Sequence, residues 1–154
     1  MFGFYQSPLG TITFEVEEGK LISLMIEKKD VTETEHPDIK HVKDQLNLYF
    51  NHEIKTFDLD LLFNKGTEFQ QKVWRSLLDI PYGMTMSYQD IANKINHPKA
   101  VRAVGQACKR NPIGIVVPCH RVIGKDGSMT GYSGKGYIDL KVKLLELEKG
   151  YRHE

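Results

Sequence analysis

Apolar and polar residues alternate along two stretches near the start of the chain. In residues 11–17 every second residue is apolar, so the apolar side chains would share one face of a strand. Residues 21–26 form a second apolar-rich stretch after a turn at Gly19. A period of two is typical of a strand with one buried face, so these stretches predict a β-hairpin. Residues 56–61 alternate in the same way and predict a third strand.

Apolar residues at helical spacing predict several helices in the remainder of the chain. Thr67 begins one of them with a capping box, because Gln70 follows three positions later, and Ser87 caps another. The predicted helices span residues 38–50, 67–80, 87–95, 99–110 and 138–149, and Gly150 is expected to end the last one.

A continuous apolar run at residues 113–117 predicts a short strand that leads into Cys119. The order of elements predicts an α/β protein of the α+β type. Residues 1–65 are expected to form a small lobe with a β-sheet and a helix. Residues 66–154 are expected to form a mostly helical domain, in which the helices at 87–95 and 99–110 make a helix-turn-helix.

Composition excludes several classes of protein. The chain has 154 residues, 40% of them hydrophobic and 27% charged, which is typical of a globular protein. No apolar stretch approaches the ~20 residues that span a bilayer, and the N-terminus has no basic and apolar leader pattern, so we expect no membrane association. Two cysteines make no disulfide framework, which favours the reducing cytoplasm, and they match no zinc-site spacing.

Charge is distributed unevenly although the net charge is only +1. Residues 1–65 carry 7 lysines and 12 acidic residues, whereas residues 66–154 carry 14 basic and 8 acidic residues, including every arginine. A basic second half favours a polyanionic partner such as nucleic acid. Two solvated faces of opposite sign would give the same counts, so charge alone leaves both readings open.

The residues around Cys119 are the strongest indication of chemistry. Pro118 precedes the thiol, and His120 and Arg121 follow it. Cysteine attacks as the thiolate, and imidazole or cationic neighbours lower its pKa. A buried structural cysteine would also fit this stretch, because adjacent side chains in an extended segment point to opposite faces.

An ordered set of motifs resembles the O6-alkylguanine-DNA alkyltransferases. The matching stretches are RAVG at 102–105, NPI at 111–113, PCHRVI at 118–123, GYSG at 131–134 and LLELE at 144–148, with SPLG at 7–10 opening the N-terminal lobe. The resemblance covers about the whole chain and is densest from Gly66 onward. It implies a DNA-repair protein that transfers an alkyl group from the guanine O6 to its own cysteine, once per molecule. O4-alkylthymine stays open as a second substrate.

The resemblance implies a role for each residue of the reaction. Cys119 would be the nucleophile, His120 its base through a water, and Glu148 the carboxylate that orients His120. Asn111 would organise the segment around the cysteine, and Tyr88 would support the departing guanine through its hydroxyl. Arg121 is expected to act structurally or electrostatically, without a chemical step of its own. Glu146 is the alternative partner of His120, because the preceding loop is about two residues longer than in many members.

The resemblance also implies how DNA is bound. The target base must leave the duplex, and Arg102 would be the finger that replaces it from the minor groove. Val122 would offer its carbonyl to the base, and no cofactor or metal is expected. The other implied DNA-contacting or pocket residues are Ser87, Ala103, Gly105, Lys109, Tyr132, Ser133 and Gly134. Double-stranded DNA that contains O6-alkylguanine is the expected partner of a monomer.

Other functions stay open on the residues alone. Alkyltransferase-like proteins share the fold but replace the cysteine and only mark damage, so Cys119 argues against that class. A helix-turn-helix regulator would need polar base-reading side chains, and residues 99–110 offer few. A cysteine protease or redox enzyme is disfavoured because no Cys-x-x-Cys or protease signature is present.

Overall fold

The computed structural model of the chain describes residues 1–126 and 135–152. Its backbone forms two compact units. The first consists of residues 1–64 together with residues 112–114, and the second consists of residues 65–111 together with the chain from residue 115 onward.

The first unit is a three-stranded antiparallel sheet covered by one helix. Strands β1 (Phe2–Ser7), β2 (Gly10–Glu17) and β3 (Lys20–Met25) pair in that order, and helix α1 (Pro37–Phe50) follows. The predicted hairpin and helix are therefore confirmed, whereas β1 was not predicted. Gly3 permits that strand, because an added Cβ would lie 2.5 Å from the ring of Phe14.

The predicted strand at residues 56–61 is wrong. The apolar side chains of this segment do turn inward and the polar ones outward, but only Leu61 forms a bridge, to Leu21. The Asp58 N–H donates to the side chain of Gln45, and the Asp58 carbonyl lies 2.7 Å from His41 Nε2. Side chains of α1 thus satisfy backbone groups that a strand would have paired.

The second unit is mostly helical. It contains α2 (Glu68–Leu77), the two-residue strand β4 (Met86–Ser87), α3 (Tyr88–Lys94), α4 (Val101–Lys109), a 3₁₀ helix (Cys119–Arg121), the strand β5 (Val122–Ile123) and α5 (Lys135–Arg152). Strands β4 and β5 pair in parallel.

Both predicted helix caps of this unit are present. Thr67 and Gln70 form a capping box on α2, and Ser87 and Asp90 form one on α3. The Trp74 indole donates to the Ala107 carbonyl at 2.8 Å, which fixes α2 against α4. The architecture is therefore α+β, as the order of elements predicted.

The predicted strand at residues 113–117 is also wrong. Ile113 alone bridges to Leu24, and the chain then turns, with Ile115 in the left-handed region at φ 68°. The Asn111 side chain donates to the Val117 carbonyl at 2.8 Å. Six residues of extended chain would span about 20 Å, so this hydrogen bond requires a loop.

Several helix boundaries differ from the predicted ones, and α2 ends at Leu77 rather than at residue 80. Helix α4 begins at Val101 rather than at residue 99. Helix α5 runs from Lys135 to Arg152 and passes through Gly150, which was expected to end it. A glycine in a helix costs only about 1 kcal/mol relative to alanine, so it does not by itself terminate one. Within the described residues, no helix is long and apolar enough to cross a bilayer.

Candidate active site

Cys119 begins the 3₁₀ helix and is almost enclosed. The residue is 8% exposed, and its N–H donates to the Val117 carbonyl at 2.8 Å. The same carbonyl accepts from Asn111, which is itself buried. Asn111 therefore holds the loop that presents Cys119. Cys108 is buried on α4, and neither cysteine forms a disulfide.

His120 and Glu148 are hydrogen-bonded in the interior of the second unit. His120 Nε2 lies 2.8 Å from Glu148 Oε2, and both residues are buried. Glu146 is exposed, so of the two carboxylates on α5 that the motif left open, Glu148 is the one that contacts the imidazole.

Arg121 completes this cluster. Its Nε donates to Glu148 Oε1 and its Nη2 donates to Glu148 Oε2, both at 3.0 Å, while Nη1 donates to the Ile80 carbonyl at 2.7 Å. A guanidinium that binds both oxygens of a carboxylate fixes the plane of that carboxylate. The Gly83 N–H also donates to Glu148 Oε1, at 3.3 Å.

The protonation states follow from this arrangement. Burial alone would raise the pKa of Glu148, but hydrogen bonds and charge from His120 and Arg121 outweigh burial and hold that pKa well below its usual range. Burial lowers the pKa of His120 despite the opposing effect of Glu148, and the charges of Arg121 and Lys141 lower it further. At neutral pH the site therefore holds a carboxylate and a neutral imidazole.

The tautomer of His120 decides what the imidazole can do. A carboxylate only accepts hydrogen bonds, so the hydrogen of the neutral ring must sit on Nε2, and Nδ1 is then an acceptor. His120 Nδ1 is buried and has no hydrogen-bond partner among the described residues. A buried, unused acceptor on the residue next to Cys119 is suited to receive a thiol proton, directly or through a water.

Tyr88 and Lys141 form a second buried pair. The Lys141 ammonium donates to the Tyr88 hydroxyl at 3.0 Å and lies 5.3 Å from the centroid of its ring. Burial lowers the pKa of Lys141 to about 8, although Cys119 and Cys108 act in the opposite direction. The pairing of β4 with β5 explains the position of Tyr88, because β4 leads into α3 and β5 follows the 3₁₀ helix that begins at Cys119.

Lys141 was not predicted as part of the site, and Arg121 was predicted without a chemical step of its own. Lys141 has a recognisable signal, because it stands seven residues before Glu148 and therefore lies on the same face of α5. Leu144 and Leu145 lie between them and are also buried. The role expected for Arg121 was structural or electrostatic, and its ion pair with Glu148 is of that kind.

Helix α4 presents a basic surface. Arg102 and Lys109 are exposed and two turns apart, Ala103 is exposed between them, and the helix contains no acidic residue. Gly105 is half-buried, yet an added Cβ would meet nothing within 4 Å. Packing within the described residues therefore does not require a glycine there.

The remaining predicted site residues divide into three groups. Ser87 is half-buried, and its hydroxyl accepts from the Asp90 N–H as the cap of α3. Val122 is fully buried in β5. Tyr132, Ser133 and Gly134 lie outside the described residues.

An open cavity of about 620 Å³ lies beside Tyr88. Its lining consists of Tyr88, Gln89 and Val101 on one side and of residues 124–126 on the other. This volume lies within the range of small-molecule sites and is sufficient for a purine base. In the part of the chain that the structure describes, no three potential metal ligands converge.

Two sequence families match this chain over nearly its whole length. The family described as "6-O-methylguanine DNA methyltransferase, ribonuclease-like domain" matches residues 1–63. The family described as "6-O-methylguanine DNA methyltransferase, DNA binding domain" matches residues 68–150.

Individual relatives agree with the family matches. The constitutive methylated-DNA–protein-cysteine methyltransferase of Bacillus subtilis is 47% identical in an alignment of 154 positions. The alignment covers 94% of this chain and 92% of the relative. The crystal structure of Mycobacterium tuberculosis OGT in complex with DNA is similar with a TM-score of 0.86 at 45% identity, over 97% of this chain and 93% of that one. S. pombe Atl1, in complex with damaged DNA containing O6-carboxymethylguanine, is similar over 55% of this chain and 79% of its own, with a TM-score of 0.50 and 33% identity.

Proposed function

Because this chain belongs to the 6-O-methylguanine DNA methyltransferase family, we propose that it repairs DNA by accepting the alkyl group of O6-alkylguanine on Cys119. Family membership confirms the activity that the motifs predicted, which is the transfer of an alkyl group from DNA to a protein cysteine. The assignment of each step to a residue is our proposal, and the buried acceptor on His120 carries it.

The reaction begins with removal of the Cys119 proton. His120 Nδ1 accepts this proton through a water, and Glu148 and Arg121 keep the imidazole in the tautomer that accepts at Nδ1. The imidazolium that forms is stabilised by the Glu148 carboxylate. Because Arg121 already neutralises Glu148, the carboxylate orients the ring without taking its proton.

The thiolate then displaces guanine from the alkyl carbon. The sulfur–carbon bond forms as the bond from that carbon to O6 breaks, and the electron pair of that bond stays on the base. The Tyr88 hydroxyl donates a proton to the departing base, which leaves as neutral guanine. The product is a thioether on Cys119, so each molecule reacts once.

The substrate is duplex DNA with the damaged base turned out of the stack. In this proposal the exposed Arg102 on α4 replaces the base, and the lack of acidic residues on that helix suits the phosphate backbone. The cavity beside Tyr88 is large enough for the base. We propose approach from the minor groove, because a helix with Ala103 and Gly105 on its surface fits a narrow groove.

A cysteine that reacts as the thiolate supports a location in the reducing cytoplasm, and one chain carries every residue of the proposed site, which supports action as a monomer. O6-alkylguanine is the proposed substrate, with O4-alkylthymine as the second base to be tested. The alternative is a lesion-binding protein without transfer, which the presence of Cys119 disfavours.

A single-turnover repair assay tests this proposal. The protein is mixed with an excess of duplex DNA containing O6-methylguanine, and restored guanine is counted. We expect one guanine per protein molecule and none with Cys119→Ala, while Cys108→Ala keeps full stoichiometry. Binding of the lesion without restored guanine would support the alternative, and repeated turnover would contradict a suicide reaction.

A further inference from the structure

The two edges of the three-stranded sheet are covered in different ways. Along β3, Leu21 and Leu24 each form two backbone hydrogen bonds, to residues 60–62 and to residues 112–114 respectively. Along β1, a strap of two residues, 33–34, lies against the strand and forms a single bridge to it. An edge strand is a template for pairing with another chain, so the strap decides whether β1 is available for such pairing.

The strap contacts β1 through one backbone group and one side chain. The Thr34 N–H donates to the Phe2 carbonyl at 2.9 Å. The Phe4 N–H instead donates to Glu33 Oε1 at 3.1 Å, and the Lys43 ammonium on α1 donates to the same oxygen at 2.9 Å. Hydrogen bonds from Lys43 and from the Phe4 N–H hold the pKa of Glu33 below its ordinary value, so the carboxylate is charged at neutral pH.

The pairing of β1 with β2 determines which backbone groups the strap covers. Met1 and Val16 exchange two hydrogen bonds, at 3.0 and 2.8 Å. Alternation along an antiparallel pair then turns the N–H and carbonyl groups of Phe2, Phe4 and Gln6 away from β2. These three residues form the outer edge of the sheet. The Phe4 N–H, which the strap engages, lies at the centre of that edge.

We propose that the strap is a removable cover that prevents two copies of this chain from pairing through β1. A second copy presents the same edge, and two identical strands pair in the antiparallel direction about a two-fold axis. In this pair the Phe4 N–H of each copy donates to the Phe4 carbonyl of the other, and two three-stranded sheets join into one of six strands. The inference goes beyond the proposed function and does not depend on the chemistry of Cys119.

The sequence of β1 supports a second copy as the occupant of this edge. The strand reads FGFYQS and contains no charged residue and no proline, which are the residues that commonly prevent edge pairing. Like charges directly opposite each other would oppose a two-fold pair, and β1 has none. Protection of the edge therefore depends on the strap, and in particular on the ion pair between Glu33 and Lys43.

A purely stabilising role of this ion pair is the competing explanation. It predicts that loss of Glu33 or Lys43 lowers the free energy of unfolding and leaves the protein monomeric. The proposed cover predicts a folded protein that associates with itself. The two explanations therefore differ in the oligomeric state of folded variants.

The experiment measures self-association by sedimentation velocity over a range of protein concentrations. Glu33→Ala and Lys43→Met each remove one partner of the ion pair. Glu35→Ala is the matched control, because Glu35 is an exposed glutamate two positions further along the chain. In the Glu33→Ala background, Phe4→Lys places two like charges opposite each other at the two-fold axis. Circular dichroism verifies that each variant is folded.

We expect Glu33→Ala to lower the dissociation constant of the dimer about ten-fold or more, because pairing no longer displaces a hydrogen bond to a charged group in each copy. Lys43→Met should lower it less, since the Glu33 carboxylate still accepts from the Phe4 N–H. Glu35→Ala should match the parent. Phe4→Lys should return the Glu33→Ala protein to the monomer.

Hydrogen exchange identifies the paired strand. In dilute Glu33→Ala the peptide that contains Phe4 should exchange faster than in the parent, and exchange should slow again at concentrations where the dimer forms. Strap variants that stay monomeric at the highest concentration measured would overturn the inference. Association that persists with Phe4→Lys, or that also occurs in Glu35→Ala, would overturn it as well. If Glu33→Ala does not fold, Lys43→Met decides by the same criteria, because it leaves the strap unchanged.

Discussion

At the scale of single residues, the site depends on a buried ion pair between Arg121 and Glu148 that also orients His120. Arg121 binds both oxygens of Glu148, and Glu148 binds His120 Nε2, so the imidazole keeps Nδ1 as its acceptor. An isolated buried carboxylate would be costly, whereas this one is compensated by an arginine and by hydrogen bonds. Arg121 thereby determines which nitrogen of His120 accepts, although no described contact joins the two side chains.

We expect Arg121→Gln to raise the pKa of His120, because the arginine charge lowers that pKa. More of the imidazole is then protonated on the acidic side of neutrality, where it no longer accepts at Nδ1. The rate of methyl transfer should fall more at pH 6 than at pH 8.5, and the acidic limb of the pH profile should move to higher pH. Single-turnover rates across pH measure this shift.

The controls for Arg121→Gln use two other arginine changes. Arg121→Lys keeps the positive charge without the paired hydrogen bonds, so it should shift the limb less. Arg75→Gln changes an exposed arginine on α2 and should shift nothing. A loss of rate that is equal at every pH would show that Arg121 does not set the pKa of His120.

At the scale of elements, α4 has an inner face that is packed and an outer face that stays exposed among the described residues. Val104, Ala107 and Cys108 are buried, and the Ala107 carbonyl accepts from Trp74. On the outer face Gly105 has open space around its Cα. Stability and DNA binding should therefore respond separately to changes on the two faces.

Gly105→Ala should stabilise the protein by about 0.5–1 kcal/mol, because alanine is a better helix former and its Cβ meets nothing. Gly105→Leu should bind duplex DNA at least ten-fold more weakly, since a large side chain blocks close approach to the groove. Thermal melting and fluorescence anisotropy measure the two effects. Gln106→Leu on the same helix is the matched control, and equal affinity of the two leucine variants would contradict contact at Gly105.

Arg102→Ala and Lys109→Ala should impair different steps, repair in the first case and DNA binding in the second. Arg102→Ala should slow repair more than it weakens binding, because the finger acts when the base leaves the stack. Lys109→Ala should weaken binding and lower the slope of log affinity against log salt by about one, as expected for one lost phosphate contact. Binding titrations at several salt concentrations measure the slope, and a slope equal to that of the parent would remove the phosphate contact.

The elements that could be predicted from sequence are those whose signals are local. The capping boxes that begin with Thr67 and Ser87 each involve only four consecutive residues at the start of a helix. The apolar run at residues 113–117 was misread because its conformation depends on Leu24 and on the side chain of Asn111. Periodicity contains no information about a partner as distant in sequence as Leu24, or about which carbonyl accepts from the side chain of Asn111.

The same distinction applies to the site. The motifs around Cys119, His120 and Glu148 were sufficient to name the cluster. Lys141 was missed because a lysine is ordinarily exposed, and its partner Tyr88 stands 53 positions away. Only the tertiary structure reveals that the two side chains meet.

At the scale of the whole molecule, the buried Lys141 couples function to stability. Its pKa is lowered to about 8 by burial, so the folded protein binds the proton less tightly than the unfolded chain does. The resulting penalty on folding is present in full below pH 8 and disappears as pH rises toward the unfolded pKa of about 10.4. The site thus reduces stability under the conditions in which it works.

Lys141→Met removes this penalty, so its effect on stability should depend on pH. The free energy of unfolding of Lys141→Met minus that of the parent should be larger at pH 7 than at pH 10, and the change should be about 1–3 kcal/mol. Urea titrations measure this free energy through the fluorescence of Trp74, the single tryptophan, which lies in the same structural unit as Lys141. Lys143→Met should show no such dependence, and a constant difference for Lys141→Met would contradict a lowered pKa.

The central claim is that Cys119 accepts the alkyl group, and it can be tested at the level of one peptide. The protein is incubated with duplex DNA carrying a deuterated methyl group on guanine O6, digested and analysed by mass spectrometry. The account predicts one labelled methyl group on the peptide that contains Cys119 and none on the peptide that contains Cys108. A label on Cys108, or restored guanine without any label on Cys119, would contradict it.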